Sequence, residues 1–420
     1  MRSKLVTLLV IAVVLAACAD TPAPTEPAAT IPPAQPTSAP APTLVPQAGH
    51  TPAPLPLSSD GPWPRFLREI DFSIPAGNSY SPHALAVHAG LGRIYARTQS
   101  QGPDTPGRIT VMDSSTGRVL ALVETGQDSY ADGNVVVDAE RDLVYAGNAD
   151  EATVSVFAAD TLEPITTIDG VVQLALDDEG GRLYVAGLGG LRVLGVGDYG
   201  TLVKAAVSYS PRFIDLAVAQ AHDRVYVTYA DGVDYFLGQY EASTLQEVAT
   251  LPLPGQPQDL IPDPARNRAY VSLRDSEQSL LWTVDAEARV LEELPLGDQT
   301  GTVRLALDAE GDRLFLGREA YRDNGIAVLD LRSGAVTAEI PLNSGPNDLA
   351  WDAEAGRLLV SHTYDHKIGI VDVKEGRVLA VYPTALDLVD LEVDPERGHV
   401  YVTDTGGQLH TLDSETDEEL

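Results

Sequence analysis

The stretch LDAEGDRLFLG, residues 307–317, carries three alternating acids, Asp308, Glu310 and Asp312, followed by an apolar run around Phe315. Such spacing suits either an oxygen-rich cation loop or the tight turn of a β-hairpin. Its relatives along the chain decide between the two. Aligned on Phe315, the equivalents are Tyr95, Tyr145, Tyr184, Tyr226, Tyr270, Leu359 and Tyr401, with successive spacings of 50, 39, 42, 44, 45, 44 and 42 residues. Seven residues before the aromatic stand Asp138, Asp177, Asp263, Asp308, Asp352 and Asp394, with His88 and Ala219 in the other two units. The remaining acids are not kept. DDEGGR has lost the third, DAEAGR has Gly356 there, and DPARNR has Ala265 and Asn267. A calcium ion needs about six to eight oxygens converging on one point. A set that varies this way reads as a turn, in which Asp bonds nearby backbone and Gly or Asn takes a positive φ.

Working outward from the turn, each unit has the same order of parts. An alternating run comes first, such as VRLAL (303–307), then the turn, then a strand such as RLFLG. A variable loop leads to a third strand such as IAVLD (326–330), and a turn such as LRSG leads to a fourth. Period-two alternation, β-branched residues and Gly/Asp/Asn turns predict strands, and no part of the repeat region shows a long helical period. Four antiparallel strands per unit at this period predict an all-β fold, a β-propeller of four-stranded blades. Eight blades are expected. Seven is the alternative, because the unit from Tyr95 to Thr125 is long. The eighth unit supplies only three strands before the chain stops. The N-terminal segment REIDFSIPAG (68–77) matches TAEIPLNSG (337–345) and is expected to close the ring as the missing fourth strand.

The chain begins MRSKLVTLLVIAVVLAAC. Basic Arg2 and Lys4 precede a 13-residue apolar run, Leu5 to Ala17, which is short for a membrane span and fits an export signal. Leu15-Ala16-Ala17-Cys18 resembles the lipobox of bacterial lipoproteins. That resemblance implies residues 1–17 as a signal peptide and lipidation at Cys18. Cys18 is the only cysteine in 420 residues, so no disulfide, cysteine-ligated zinc or thiol nucleophile is available within one chain. Residues 21–60 hold 12 of the 30 prolines. They cannot bury a core, and 18–60 is expected to be a disordered stalk, able to span about 120 Å at ~3.1 Å per residue. The propeller is expected over 61–420. The formal charge of −33 argues against nucleic acid and anionic lipid surfaces as partners, since both need clustered basic charge. The membrane is therefore expected to be met through the N-terminal lipid only.

Tyr226-Val227-Thr228, Tyr401-Val402-Thr403 and Tyr270-Val271-Ser272 resemble the YVTN-type β-propeller repeats of bacterial surface and periplasmic proteins. The resemblance covers about residues 64–420 and implies an extracytoplasmic propeller, in a group usually described as seven-bladed. Similar propellers include lactonases, quinoprotein dehydrogenases, surface-layer proteins and binding modules, so the fold does not choose a chemistry.

Specific chemistries find little purchase. GVGDYG (195–200) satisfies G-x-G-x-x-G but occupies a hairpin slot with a strand after it, where a dinucleotide site needs a helix. His362 and His366 flank Asp365 in a loop, where HxxxH spacing does not impose convergence on a metal. Without cysteines beyond Cys18 there is no haem-attachment motif. Trp63, Trp282 and Trp351 are out of register with tryptophan docking repeats. No catalytic residue, cofactor or metal is assigned. A hydrolase or lactonase with a metal in the central channel is the alternative to a binding scaffold.

The site expectation is geometric. Loops joining the second strand to the third, and the fourth to the next first, share one face of a propeller. They hold NSYSPH, TGQDSYAD, SYSPRF, LRDSEQS, REAYRDN and SHTYDHK. Tyr and Arg are enriched at binding hot spots. Tyr80, Tyr130, Arg212, Arg274, Arg318, Tyr321, His362 and Tyr364 are the expected face for a protein or cell-envelope ligand on a monomer.

Overall fold

The computed structural model describes residues 66–71, 80–100, 106–127, 134–148, 151–177, 180–208, 211–275, 278–297, 303–319, 324–362, 365–384, 388–394, 397–404 and 408–413. All of them belong to one compact unit, Pro42–Leu420. The signal peptide, Cys18 and the stalk lie outside the described residues.

Eight four-stranded antiparallel sheets form the unit. Seven take their strands in chain order and are numbered here as blades 1 to 7: residues 80–127, 135–169, 173–205, 212–253, 256–295, 303–341 and 346–383. Blade 8 combines Leu388–Asp394, His399–Asp404 and Gln408–Asp413 with the N-terminal strand Phe66–Asp71. Ile70 pairs with Leu409 and Asp71 with Gln408 in an antiparallel register. The ring therefore has eight blades, closed by the N-terminal strand. That strand starts two residues before the segment REIDFSIPAG and ends at Asp71. The innermost strand of each blade contacts that of the next, and Tyr80–His88 of blade 1 contacts Leu388–Asp394 of blade 8, completing the circle.

Position within a blade explains each strand's composition. Second strands lie between neighbouring blades and are buried on both faces, so RLFLGR in blade 6 is apolar almost throughout. Outer strands face solvent and alternate, as PITTID does in blade 2. Clusters span neighbours: Phe315, Ile326 and Val328 of blade 6 pack with Leu349, Leu358 and Val360 of blade 7. Across the closure, Leu85, Ile94 and Met112 pack with Tyr401 and Leu409.

The repeated aromatic has a second task. In three units its hydroxyl reaches into the next blade and donates to the residue just after that blade's third strand. Tyr95 donates to the Ala159 carbonyl at 2.7 Å and Tyr184 to Ala242 at 3.2 Å. Tyr401 donates to Ser114 at 3.3 Å, from the last blade to the first.

The acidic turn resolves into two fixed roles. The leading Asp accepts the backbone N–H three residues on: Arg141 to Asp138 at 3.1 Å, Gly180 to Asp177 at 2.9 Å, Arg266 to Asp263 at 3.2 Å, Gly311 to Asp308 at 2.9 Å, Ala355 to Asp352 at 3.0 Å and Arg397 to Asp394 at 3.2 Å. His88 does the same with Nδ1, accepting from Leu91 at 3.3 Å. Ala219 has no side chain for it. The residue before the second strand is left-handed in all eight turns: Gly92, Asp142, Gly181, Asp223, Asn267, Asp312, Gly356 and Gly398. Asp312 is thus placed by its φ of 56°. Gly, Asn and Asp are the residues that tolerate that conformation. Glu310 is exposed.

Candidate functional site

The two faces of the ring are built differently. On one face every first-to-second turn has four residues, from 89–92 in blade 1 to 395–398 in blade 8. Third-to-fourth turns on that face have four or five. On the opposite face the second-to-third connections run from two residues (188–189) to six (319–324). The blade-to-blade connections there run from two (254–255) to eight (72–79). Variation is confined to the face where the binding residues were expected.

Those residues divide by position. Tyr80 begins the innermost strand of blade 1, opposite Ser100. Arg212 begins that of blade 4 and is exposed. Arg274 ends the second strand of blade 5, half-buried, with Nη2 3.5 Å from Gln256 Oε1. Tyr130, Tyr321 and Tyr364 lie outside the described residues. Arg318 and His362 were expected on exposed loops, and their surroundings correct that. Both are the last residues of second strands, in blades 6 and 7, and both are buried. Arg318 Nη2 lies 3.6 Å from Glu339 Oε2 of its own outer strand. The His362 ring sits over Gly369, where a Cβ would come within 2.6 Å of Nε2. Its Nδ1 shares a hydrogen bond with Ser344 Oγ at 3.0 Å, and burial lowers its pKa to about 4. Asp404 holds the same register in blade 8, fully buried, 3.0 Å from His410 Nε2. Blades 6 to 8 therefore carry a buried polar band just beneath the variable face. Among the described residues, no group of three or more His, Cys, Asp or Glu is arranged to hold a metal ion.

The channel below holds a ring that the sequence reading passed over. Four residues before the turn Asp or its equivalent, the innermost strands carry Ala84, Gln173, Asp215, Asp259, Arg304, Asp348 and Asp390, with Asn134 just before that of blade 2. Several of these side chains stitch neighbouring blades. Asp259 accepts the N–H of Leu305 in blade 6 at 2.8 Å, and Asp390 that of Leu85 in blade 1 at 2.7 Å. Gln173 donates to the Ile214 carbonyl at 3.1 Å. Arg304 donates to the carbonyls of Gln258 in blade 5 and Asn347 in blade 7, at 3.1 and 3.0 Å. Two residues further along the blade 8 strand, Glu392 adds a fifth carboxyl.

The four aspartates and Glu392 keep some surface open to water although protein encloses them nearly completely, as on the wall of a narrow channel. Enclosure disfavours the charged form. Burial, then the neighbouring Asp259, raises Asp215 to about 7. Burial, then Asp390 and Asp348, raises Glu392 to about 8. Asp348 and Asp390 are both raised by burial, and Arg304 opposes this at each. The signal was present in sequence as Asp-Leu-x-x-Asp at 259–263, 348–352 and 390–394.

Comparison with known proteins finds no matching protein-family model and no matching curated protein. Solved structures do match, 1500 chains in all. One is the Saccharomyces cerevisiae Sqt1 crystal structure, a WD40 propeller, at 11% identity and a TM-score of 0.65, covering 85% of this chain and 100% of that one. The likeness is one of fold. So widely shared an architecture leaves function to be argued from the site.

Proposed function

We propose that the chain is an extracytoplasmic bacterial lipoprotein, held to the membrane through Cys18, whose propeller is an interaction scaffold for a protein or cell-envelope ligand. One observation carries the binding reading. Connections on one face are nearly uniform, while those on the other vary between two and eight residues. Uniform turns meet a folding requirement, and variable loops on a rigid frame are where binding residues concentrate. The lipobox-like junction at Cys18 and the YVTN-like repeats support the location. The anionic surface directs it toward partners other than nucleic acid or acidic lipid.

Crosslinking on intact cells, followed by mass spectrometry of what the domain holds, tests this reading. The double variant Arg212→Ala/Arg274→Ala is expected to lower the yield of the captured partner, and Cys18→Ala to release the chain from the membrane fraction. An unchanged partner yield would remove the variable face as the binding surface. Continued membrane association of Cys18→Ala would remove the lipid anchor.

A further inference from the structure

On the face with uniform turns, the junction between blades 5 and 6 lacks a tie that several other junctions make. At four other junctions, second-strand residues tie into the next blade's third-to-fourth turn. Arg93 donates to the Asp160 carbonyl at 2.7 Å, Arg224 Nε to Ala286 at 2.8 Å, and Tyr95, Tyr184 and Tyr401 act likewise. The three residues that receive a tyrosine, Ser114, Ala159 and Ala242, are small. At blades 5 and 6 the receiving position is Leu331, buried among Leu314, Leu316 and Leu329. Tyr270 turns back to Asp263 Oδ2 of its own blade at 3.1 Å. Arg268, the equivalent of Arg93 and Arg224, makes no hydrogen bond or ion pair among the described residues. The released space is a groove of about 370 Å³, with Arg268, Leu291, Glu292, Leu329, Arg332 and Ser333 on its walls.

We propose that this groove binds a small monocarboxylate with an apolar chain, its carboxylate on the Arg268 guanidinium and its chain along Leu291 and Leu329. The volume lies in the range of small-ligand sites, roughly 300–1,000 Å³. A guanidinium fork matches a carboxylate in plane and charge. Of the two arginines, Arg332 is already paired with Asp312, whereas Arg268 acts on Glu292 only beyond ion-pair distance, so its guanidinium edge is open to a ligand. Glu292 on the same wall offsets part of the Arg268 charge, and any negative charge it carries opposes a dianion such as phosphate about twice as strongly as a monocarboxylate. Leu291 is 47% exposed, so an apolar chain laid on it removes hydrocarbon from water. This site lies on the opposite face from the variable loops and does not depend on the scaffold reading.

Hexanoate titrated against the full chain by ligand-observed NMR is the direct test, with hexanamide, inorganic phosphate and three variants as comparisons. Hexanoate is expected to bind at least about tenfold more tightly than hexanamide and to resist competition by phosphate. Arg268→Gln should weaken it by about tenfold or more. Leu291→Trp, at a half-exposed strand position, narrows the groove without touching the charge and should weaken binding about fivefold. Arg212→Gln on the far face should change nothing. Equal binding of acid and amide, displacement by phosphate, unchanged affinity in Leu291→Trp, or no hexanoate signal up to about 10 mM would each overturn the proposal.

Discussion

Asp308, Glu310 and Asp312 look alike in sequence and sit in three different environments. Asp308 is buried, accepts the Gly311 N–H, and takes Arg313 Nε and Nη2 at 2.9 and 2.6 Å. Asp312 holds a left-handed backbone and pairs with Arg266 of blade 5 and with Arg332. Glu310 is exposed. Removing Asp308 leaves an unsatisfied N–H and an unpaired guanidinium. Asp308→Ala should therefore lower unfolding free energy by about 2–3 kcal/mol. Glu310→Ala should stay within about 0.5 kcal/mol of the parent. Urea denaturation midpoints measure both, and equal losses would contradict the separate roles. EDTA is expected to leave the melting temperature unchanged, since the Asp308 and Asp312 oxygens are occupied by backbone and arginine. A fall of many degrees would restore the cation-loop reading.

At the scale of the element, what was legible and what was not divide along sequence separation. Strand order follows from the local periodicity that any single unit displays, and blade count and the closing strand from the recurrence of that unit along the chain. The tyrosine ties and the channel ring join residues a blade or a whole ring apart, as Tyr401 and Ser114 are, and no local pattern contains both partners. Arg318 and His362 were misplaced for a related reason. Polar residues at the end of an apolar run look like the start of a loop, whereas adjoining elements of blades 6 and 7 bury them. The closing strand is the element on which the most depends. Phe66–Asp71 pairs with Gln408–Asp413 through five registered positions. Deleting residues 1–71 exposes that edge. At about 1 kcal/mol net per ladder bond the loss is roughly 5 kcal/mol before packing is counted. Thermal unfolding of the truncated chain should begin at a distinctly lower temperature, with increased self-association by light scattering. An unchanged transition would mean that closure contributes little.

The channel belongs to the whole molecule, since it exists only when eight inner strands meet. Its carboxyls make stability depend on pH in a direction opposite to the surface acids. Asp113, held to about 2 chiefly by the Ser115 and Thr116 hydroxyls, stabilises the fold above the ordinary carboxylate range and loses that contribution as pH falls through its folded value. Asp215 and Glu392 are raised to about 7 and about 8, so between about pH 4 and 8 the folded chain binds more protons than the unfolded one. Stability must then decline as pH rises through that window, by at most about 1.4 kcal/mol per unit for each such group. A chain of charge −33 would also weaken with pH through general repulsion, so the slope alone does not identify the cause. Two isosteric variants separate them. Glu392→Gln removes the raised carboxyl from the channel and should flatten the decline, adding on the order of 1 kcal/mol at pH 8 with little change at pH 5. Glu310→Gln removes the same formal charge from an exposed turn and should leave the slope as it was. If thermal unfolding between pH 5 and 8 shows both variants shifting the slope alike, repulsion across the surface governs the pH dependence and the channel does not.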